Sequence, residues 1–274
     1  KFTVPFYPFS TLLSSFLRND GNPALATKSV LFGGIFNIFG DYFFVFTLDM
    51  GILGAGLATA MGISMSVFMM LTHFRSPINT MHFVKVPRLP EMFGKIAANG
   101  FSSFIIDIAM GVLTMLFNRQ IMRYLGSDAL AVYAVIVNIS TFVQCCTYGV
   151  GQAAQPIISQ NYGAGRSDRV SRLLRYSLIS CAVIGAAWTA AVVALPNGFI
   201  KLFMSPTAAV LAIAPEIMRI YAVSFLLLPY NVFSTYYFQA MLRPGTSIII
   251  SVSRGIVISG ALIMLLPLLL GRNS

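Results

Sequence analysis

Residues 29–48 read SVLFGGIFNIFGDYFFVFTL, a run in which the only charged side chain is Asp41. An α-helix rises about 1.5 Å per residue, so a stretch of this length covers a hydrocarbon layer about 30 Å thick. The rest of the chain follows the same rule. Of its 274 residues 57% are hydrophobic and 9% charged, whereas roughly a quarter are charged in a soluble globular protein. Residues 129–165, 176–200, 220–242 and 255–271 carry no charge at all. Eight apolar stretches emerge, at about 2–17, 25–48, 52–74, 95–122, 129–160, 173–197, 213–240 and 246–270. Lipid offers no partners to backbone N–H and C=O groups, so segments this long must be helices. The expected fold is an all-α, polytopic transmembrane helical bundle.

The 18 Lys and Arg exceed the 8 Asp and Glu, giving a net charge of +10. Such a surplus suits nucleic acid when it lies on a polar folded surface. Here it sits between apolar spans, so no nucleic-acid partner is expected, and the hydrophobicity excludes intrinsic disorder. Cys145, Cys146 and Cys181 fall inside apolar stretches and suggest neither a disulfide framework nor a zinc site. The chain opens on Lys1 without a signal-peptide pattern and reads as a piece of a longer protein.

If the spans alternate, 12 of the 18 basic residues fall on one side, among them Arg18, Arg75, Arg166, Arg169, Arg172, Arg175 and Arg243. The positive-inside rule makes that side cytoplasmic. The longest connection contains Pro77, Pro87 and Pro90 and reads as a cytoplasmic linker over 77–94 between two bundles, 1–76 and 95–274. A repeat supports the division: residues 34–51 align with 254–271, matching Ile38, Gly40, Leu48 and Gly51 with Ile258, Gly260, Leu268 and Gly271. A parallel repeat of this kind is one recurring transporter plan.

Asp41 carries the chemistry. A carboxylate at the centre of a membrane helix costs about 2.5–3.5 kcal/mol on insertion scales, so it normally faces a cavity, a partner or an ion. Asn37 precedes it by one turn on the same face. Thr59 lies as far after Met50 as Asp41 lies before it, so an antiparallel hairpin sets the two at similar depth. Burial favours the protonated form of a carboxyl group, and oxygen donors of this kind suit a hard monovalent cation. The set therefore reads as a site for Na⁺ or H⁺, against the blander reading of interhelical polar glue.

These residues resemble a known family. Leu17, Arg18, Asn19, Asp20, Gly21, Asn22 and Pro23, then Asn37, Asp41, the turn 51–56 and Thr59, look like the fourth to sixth helices of a multidrug and toxic compound extrusion (MATE) transporter. Gly149, Gly151, Gln152, Gln155, Pro156, Ser159, Asn161, Tyr162, Gly163 and Gly165 resemble the end of its eighth helix. The likeness extends over nearly the whole chain and is nearest the MepA-like branch. It implies a fragment covering about helices 4 to 11 of 12, with 1–76 the end of the N-terminal lobe, 95–274 most of the C-terminal lobe, and the two lobes pseudo-symmetric. It further implies cation-coupled antiport of drugs and a coupling site to which Asn37, Asp41 and Thr59 contribute, together with a first-helix Asp that has no counterpart here. A second acid site would fall near Asp107.

The expected function is thus a Na⁺- or H⁺-coupled multidrug efflux antiporter, not an enzyme, multi-pass in the cell (inner) membrane and monomeric. Its partners would be the lipid bilayer and small organic, cationic substrates, and it needs no cofactor beyond the coupling ion. Asp107, Asn138, Gln144, Tyr148, Gln155, Phe225, Tyr230 and Asn231 are candidates to line the substrate cavity, since aromatic faces attract cations. His73 and His82 read as solvated juxtamembrane residues, and Pro156, Pro229 and Pro267 as kinks. The alternatives are a lipid-linked oligosaccharide flippase of the same superfamily, which would need a basic cavity, or a non-transporting polytopic membrane protein.

Overall fold

The computed structural model describes residues 3–82, 89–243, 245, 246, 249 and 252–269, all of them helical or in the turns between helices. The chain forms two compact units, Lys1–Pro87 and Arg88–Ser274. Residues 83–88 of the expected linker and residues 247, 248, 250, 251 and 270 of the eighth expected span lie outside the described residues.

The first unit holds α1 (Thr3–Asn19), α2 (Pro23–Asp41) and α3 (Gly51–Leu71). Asn22 caps α2, its Oδ1 accepting from Leu25 N at 3.2 Å, and Pro23 takes the first helical position, where its missing N–H costs nothing. After Asp41 the helix widens into a π turn, Tyr42–Thr47. The chain then reverses through Asp49 and Gly51, both at positive φ, a conformation Gly and Asp tolerate best. Leu13 and Leu17 of α1 meet Ala26 of α2 and Met70 of α3 in a small core.

The second unit runs α4 (Leu89–Tyr124), α5 (Gly126–Gly163), α6 (Ser167–Ala194), α7 (Pro196–Phe203), α8 (Ala208–Ala222), α9 (Leu228–Ala240) and, after a π turn at Ser253–Ile258, α10 (Ser259–Leu269). The central helix is α5, which packs on α4, α6, α8 and α9. Its Val132, Ile136, Ile139 and Val143 fall on one stripe and bury against Val192, Ile200, Met218, Ala222 and Phe225.

Two expected spans differ in detail. The stretch 173–197 ends as a helix at Ala194, because Pro196 starts the separate α7. The stretch 213–240 is broken: α8 passes through a 3₁₀ turn, Val223–Leu226, and Pro229 then opens α9 at its first turn. Proline has no N–H to continue the preceding ladder. The break is covered, not left bare. Gly185 of α6 lies so close that a Cβ there would sit 2.8 Å from Phe225 O, and Thr189 Oγ1 donates to Ala222 O at 3.1 Å. A carbonyl loosened by the break is thereby paired, as lipid requires. Pro156, in contrast, lies within a continuous α5. The last six residues of the expected linker are helical, since α4 already starts at Leu89 and carries Glu91 in its first turn.

Five segments among the described residues are long and apolar enough to cross a membrane: Pro23–Thr47, Gly51–Arg75, Gly126–Gly163, Ser167–Ala194 and Ala208–Ala240. Their outer faces are greasy, with Phe39 71% and Phe46 74% exposed on the second helix and its π turn. Exposure on that scale is intelligible only in lipid. The protein is an all-α, multi-pass membrane bundle.

Candidate functional site

The site expected at Asn37, Asp41 and Thr59 is built by the way α2 meets α3. Lipid tails are as apolar as leucine, so membrane helices associate through close packing and hydrogen bonds, which small residues permit. On α3 the residues Gly54, Ala58, Gly62 and Ser66 recur every four positions and are all buried. Facing them on α2 are Gly33 and Gly40. A Cβ on Gly33 would lie 1.9 Å from Ser66 Oγ and 2.4 Å from Gly62 O, and one on Gly40 would lie 3.0 Å from Ala58 Cβ. Ser66 Oγ donates across the seam to Ser29 O at 2.9 Å. The backbones therefore touch, and the register is fixed: Gly33 opposite Gly62, Gly40 opposite Ala58, Phe44 opposite Gly54.

That register carries Asn37 to Thr59. Asn37 Nδ2 donates to Thr59 Oγ1 at 3.3 Å, and Thr59 Oγ1 donates in turn to Ala55 O at 3.0 Å. Asp41 stands one turn further along α2, at the start of the π turn, an irregularity frequent at functional positions. Its Oδ1 is shut off from solvent and has no hydrogen-bond partner among the described residues. A buried carboxylate oxygen without a donor is costly, and in a native protein it calls for an explanation. The second lone pair of Thr59 Oγ1 and the carbonyl oxygen of Asn37 are the acceptors these two side chains have left. Among the described residues no three His, Cys, Asp or Glu cluster. The local chemistry is that of oxygen ligands for a hard cation, or of a carboxylate for a proton.

The candidates for a substrate cavity are placed as follows. Gln144, Tyr148 and Gln155 fall on a single stripe of α5. Tyr148 hydroxyl donates to Gln144 Oε1 at 3.2 Å, and the Tyr148 ring meets Tyr236 of α9 edge-on at 6.0 Å. Tyr236 was not singled out by sequence. It is pressed against Gly151, where a Cβ would sit 2.6 Å from its ring, and a glycine one turn after Tyr148 is the signal that marks it. Asn138 is exposed and turns back to its own helix, donating to Ala134 O at 3.1 Å. Tyr230 and Asn231 are half-buried in the first turn of α9. Phe225 is 1% exposed in the core of its unit, edge-on to Tyr221, so its ring packs against side chains and opens on no cavity. The side chain of Asp107 lies outside the described residues.

His73 corrects the sequence reading. It is fully buried, not solvated, because the 3₁₀ turn Thr72–Arg75 folds it under the α1–α2 loop. Its Nδ1 faces Asn22 Nδ2 at 3.1 Å, and its Nε2 lies 2.7 Å from Asp20 Oδ2. Asn22 Oδ1 is already taken by Leu25 N. Its amide therefore donates to Nδ1, which leaves the ring proton on Nε2, aimed at Asp20. Asp20 also accepts from the backbone N–H and the hydroxyl of Thr80. The Thr80 hydroxyl first, then His73 and the Thr80 amide, hold the Asp20 carboxyl down at about 2. His82, the other histidine, is exposed and bonded to Thr80 O.

Comparison with known proteins agrees with this architecture. The chain is 25% identical over 258 residues to the multidrug export protein MepA of Staphylococcus saprophyticus subsp. saprophyticus, covering 93% of this chain and 56% of that protein. It is 24% identical over 265 residues to MepA of Staphylococcus haemolyticus, covering 96% and 58%. The chain thus spans little more than half the length of the curated relatives it matches. A solved structure described as the outward-facing conformation of a multidrug resistance MATE family transporter of the MOP superfamily superposes with a TM-score of 0.84 at 21% identity, over 92% of this chain and 57% of that one. The MatE family model matches residues 98–264, more than half of the chain. The chain belongs to the MatE family.

Proposed function

We propose that this chain is part of a cation-coupled exporter of small organic cations, in which Asp41, with Asn37 and Thr59, takes up Na⁺ or H⁺ and releases it in step with the exported compound. The observation that carries this reading is the sealed, unpartnered Oδ1 of Asp41, one helical turn along α2 from the residue that bonds Thr59. A site that binds and releases a cation must leave a carboxylate oxygen without a permanent donor. Binding supplies the missing partner, so the occupied and empty states differ in electrostatic free energy at the seam between α2 and α3. The substrate cavity is assigned to the stripe Gln144, Tyr148 and Gln155 of α5, with Tyr236 beside it. Asp107, Asn138, Tyr230 and Asn231 belong to the same proposal. The protein sits in the cell membrane with the basic ends of its spans in the cytoplasm. The driving force is the ion gradient: one elementary charge moving down 100 mV releases about 2.3 kcal/mol, a concentration ratio of nearly fifty.

The test is Asp41→Asn in the full-length protein. Asn keeps the shape and removes the charge, so coupled efflux should fall to background while membrane insertion and thermal stability persist. Drug efflux that stays at the wild-type rate and still responds to the ion gradient would refute the assignment. Varying Na⁺ at fixed pH, and pH at fixed Na⁺, in vesicles of the wild type identifies the ion.

A further inference from the structure

Along α6 the charges stop at Arg175, and residues 176–194 are wholly uncharged. Nineteen helical residues span about 28 Å, close to the hydrocarbon thickness, which puts Arg175 at the membrane boundary. Outward from it lie Arg172, Arg169 and Arg166, all exposed, with Asp168 as the acid among them. No ion pair holds any of these four arginines among the described residues. Arg243, just beyond α9, belongs to the same end of the bundle, because Val170 of α6 and Ala240 of α9 share one buried cluster.

From this basic end an open groove of about 330 Å³ runs into the membrane between α6 and α9. Ser171, Leu174, Arg175, Leu178, Ile179 and Ala182 form its α6 side at helical spacing, and Tyr230 flanks it from α9. Its two parts differ in chemistry. Ser171 and Arg175 stand at the level of lipid headgroups. Leu178, Ile179 and Ala182 continue inward for seven residues past Arg175, about 10 Å into the hydrocarbon. A polar, cationic mouth leading to an apolar trough of that depth matches one kind of molecule, an amphiphile with an anionic head and an alkyl chain.

We propose that the α6–α9 groove is a binding site for an anionic phospholipid, its phosphate held by Arg175, Ser171 and the neighbouring Arg172 and one acyl chain laid against Leu178, Ile179 and Ala182. Bulk attraction to the basic collar alone is a different thing. It would involve Arg243 as much as Arg175 and would be indifferent to the shape of the trough. The site is independent of the cation site at Asp41, so either assignment stands if the other fails.

The experiment uses the full-length protein reconstituted in vesicles of phosphatidylcholine with a minority of phosphatidylglycerol. The protein is extracted in detergent, and the lipids that stay bound are counted by native mass spectrometry. Wild type should retain phosphatidylglycerol in preference to phosphatidylcholine, and added inorganic phosphate should not displace it. Arg175→Gln and Arg172→Gln should each lower retention about five-fold, the attraction of one basic side chain to an anionic lipid surface. Ala182→Trp, which fills the trough and keeps every arginine, should abolish the preference, and Arg243→Gln should leave it unchanged. Equal retention of the two lipids by wild type overturns the proposal. So does undiminished retention by Ala182→Trp, or a loss in Arg243→Gln as large as in Arg175→Gln. Ala182 is exposed, and a melting curve establishes that its variant folds; if it does not, the contrast between Arg175→Gln and Arg243→Gln decides.

Discussion

Gly33→Ala is the most informative single change, because one methyl group is set against backbone. The new Cβ would lie 2.4 Å from Gly62 O and 1.9 Å from Ser66 Oγ. Ser66 can rotate away, at the cost of its 2.9 Å bond to Ser29 O. Gly62 O cannot, so α2 and α3 must part by about 1 Å to restore ordinary contact, a strain of the kind that costs about 1–3 kcal/mol in a packed core. The same displacement stretches the Asn37–Thr59 bond from 3.3 Å past any useful length, and interhelical bonds in membranes average about 0.6 kcal/mol. The expected total is about 2–4 kcal/mol. The control is its neighbour: Gly34 has nothing within 4 Å, so Gly34→Ala should stabilise α2 slightly through helix propensity, by about 0.5–1 kcal/mol. Thermal melting of the two purified full-length variants reads the difference, and transport reads its consequence at Asp41. If both alanines leave the melting temperature equally unchanged, the helices do not touch along this seam and the argument from it fails.

Two further outcomes follow from the structure. The Asp20 carboxyl, held at about 2 against an ordinary 3.8, contributes stability that is present above 3.8 and lost as the pH falls from there through about 2. Wild type should therefore lose melting temperature over that interval and Asp20→Asn should not, while at neutral pH the variant should already melt lower. Thr189→Val removes the donor to Ala222 O without changing shape, and should lower stability by about 1 kcal/mol. Thr141→Val, whose hydroxyl bonds only within its own helix to Val137 O, should be near neutral in the same melting assay.

Much of this was legible because a bilayer is a strict solvent. The uncharged runs located the spans to within about six residues at their ends, and Pro229 marked the place where one of them divides, while the break at Pro196 and the short helix after it were not read from the sequence. The spacing of Gly54, Ala58, Gly62 and Ser66 was equally visible, and it would have named the α2–α3 seam had the four-residue period of small side chains been read with the same weight as the charges. What a linear count could not supply was register. Measuring nine residues each way from Met50 set Asp41 level with Thr59, on the assumption of an α-helical rise throughout. The π turn Tyr42–Thr47 breaks that assumption. It takes more residues to make a turn, so Asp41 lies nearer the hairpin than the count allows. Thr59 therefore falls opposite the preceding turn, within reach of Asn37. Thr59 Oγ1 thus bonds Asn37 at 3.3 Å, and Asp41 Oδ1 is left without a hydrogen-bond partner among the described residues, the arrangement on which the proposed cation site rests. His73 escaped for a different reason: its partners lie 51 and 53 residues away in Asn22 and Asp20, and no periodicity connects residues that meet only when two loops close on each other.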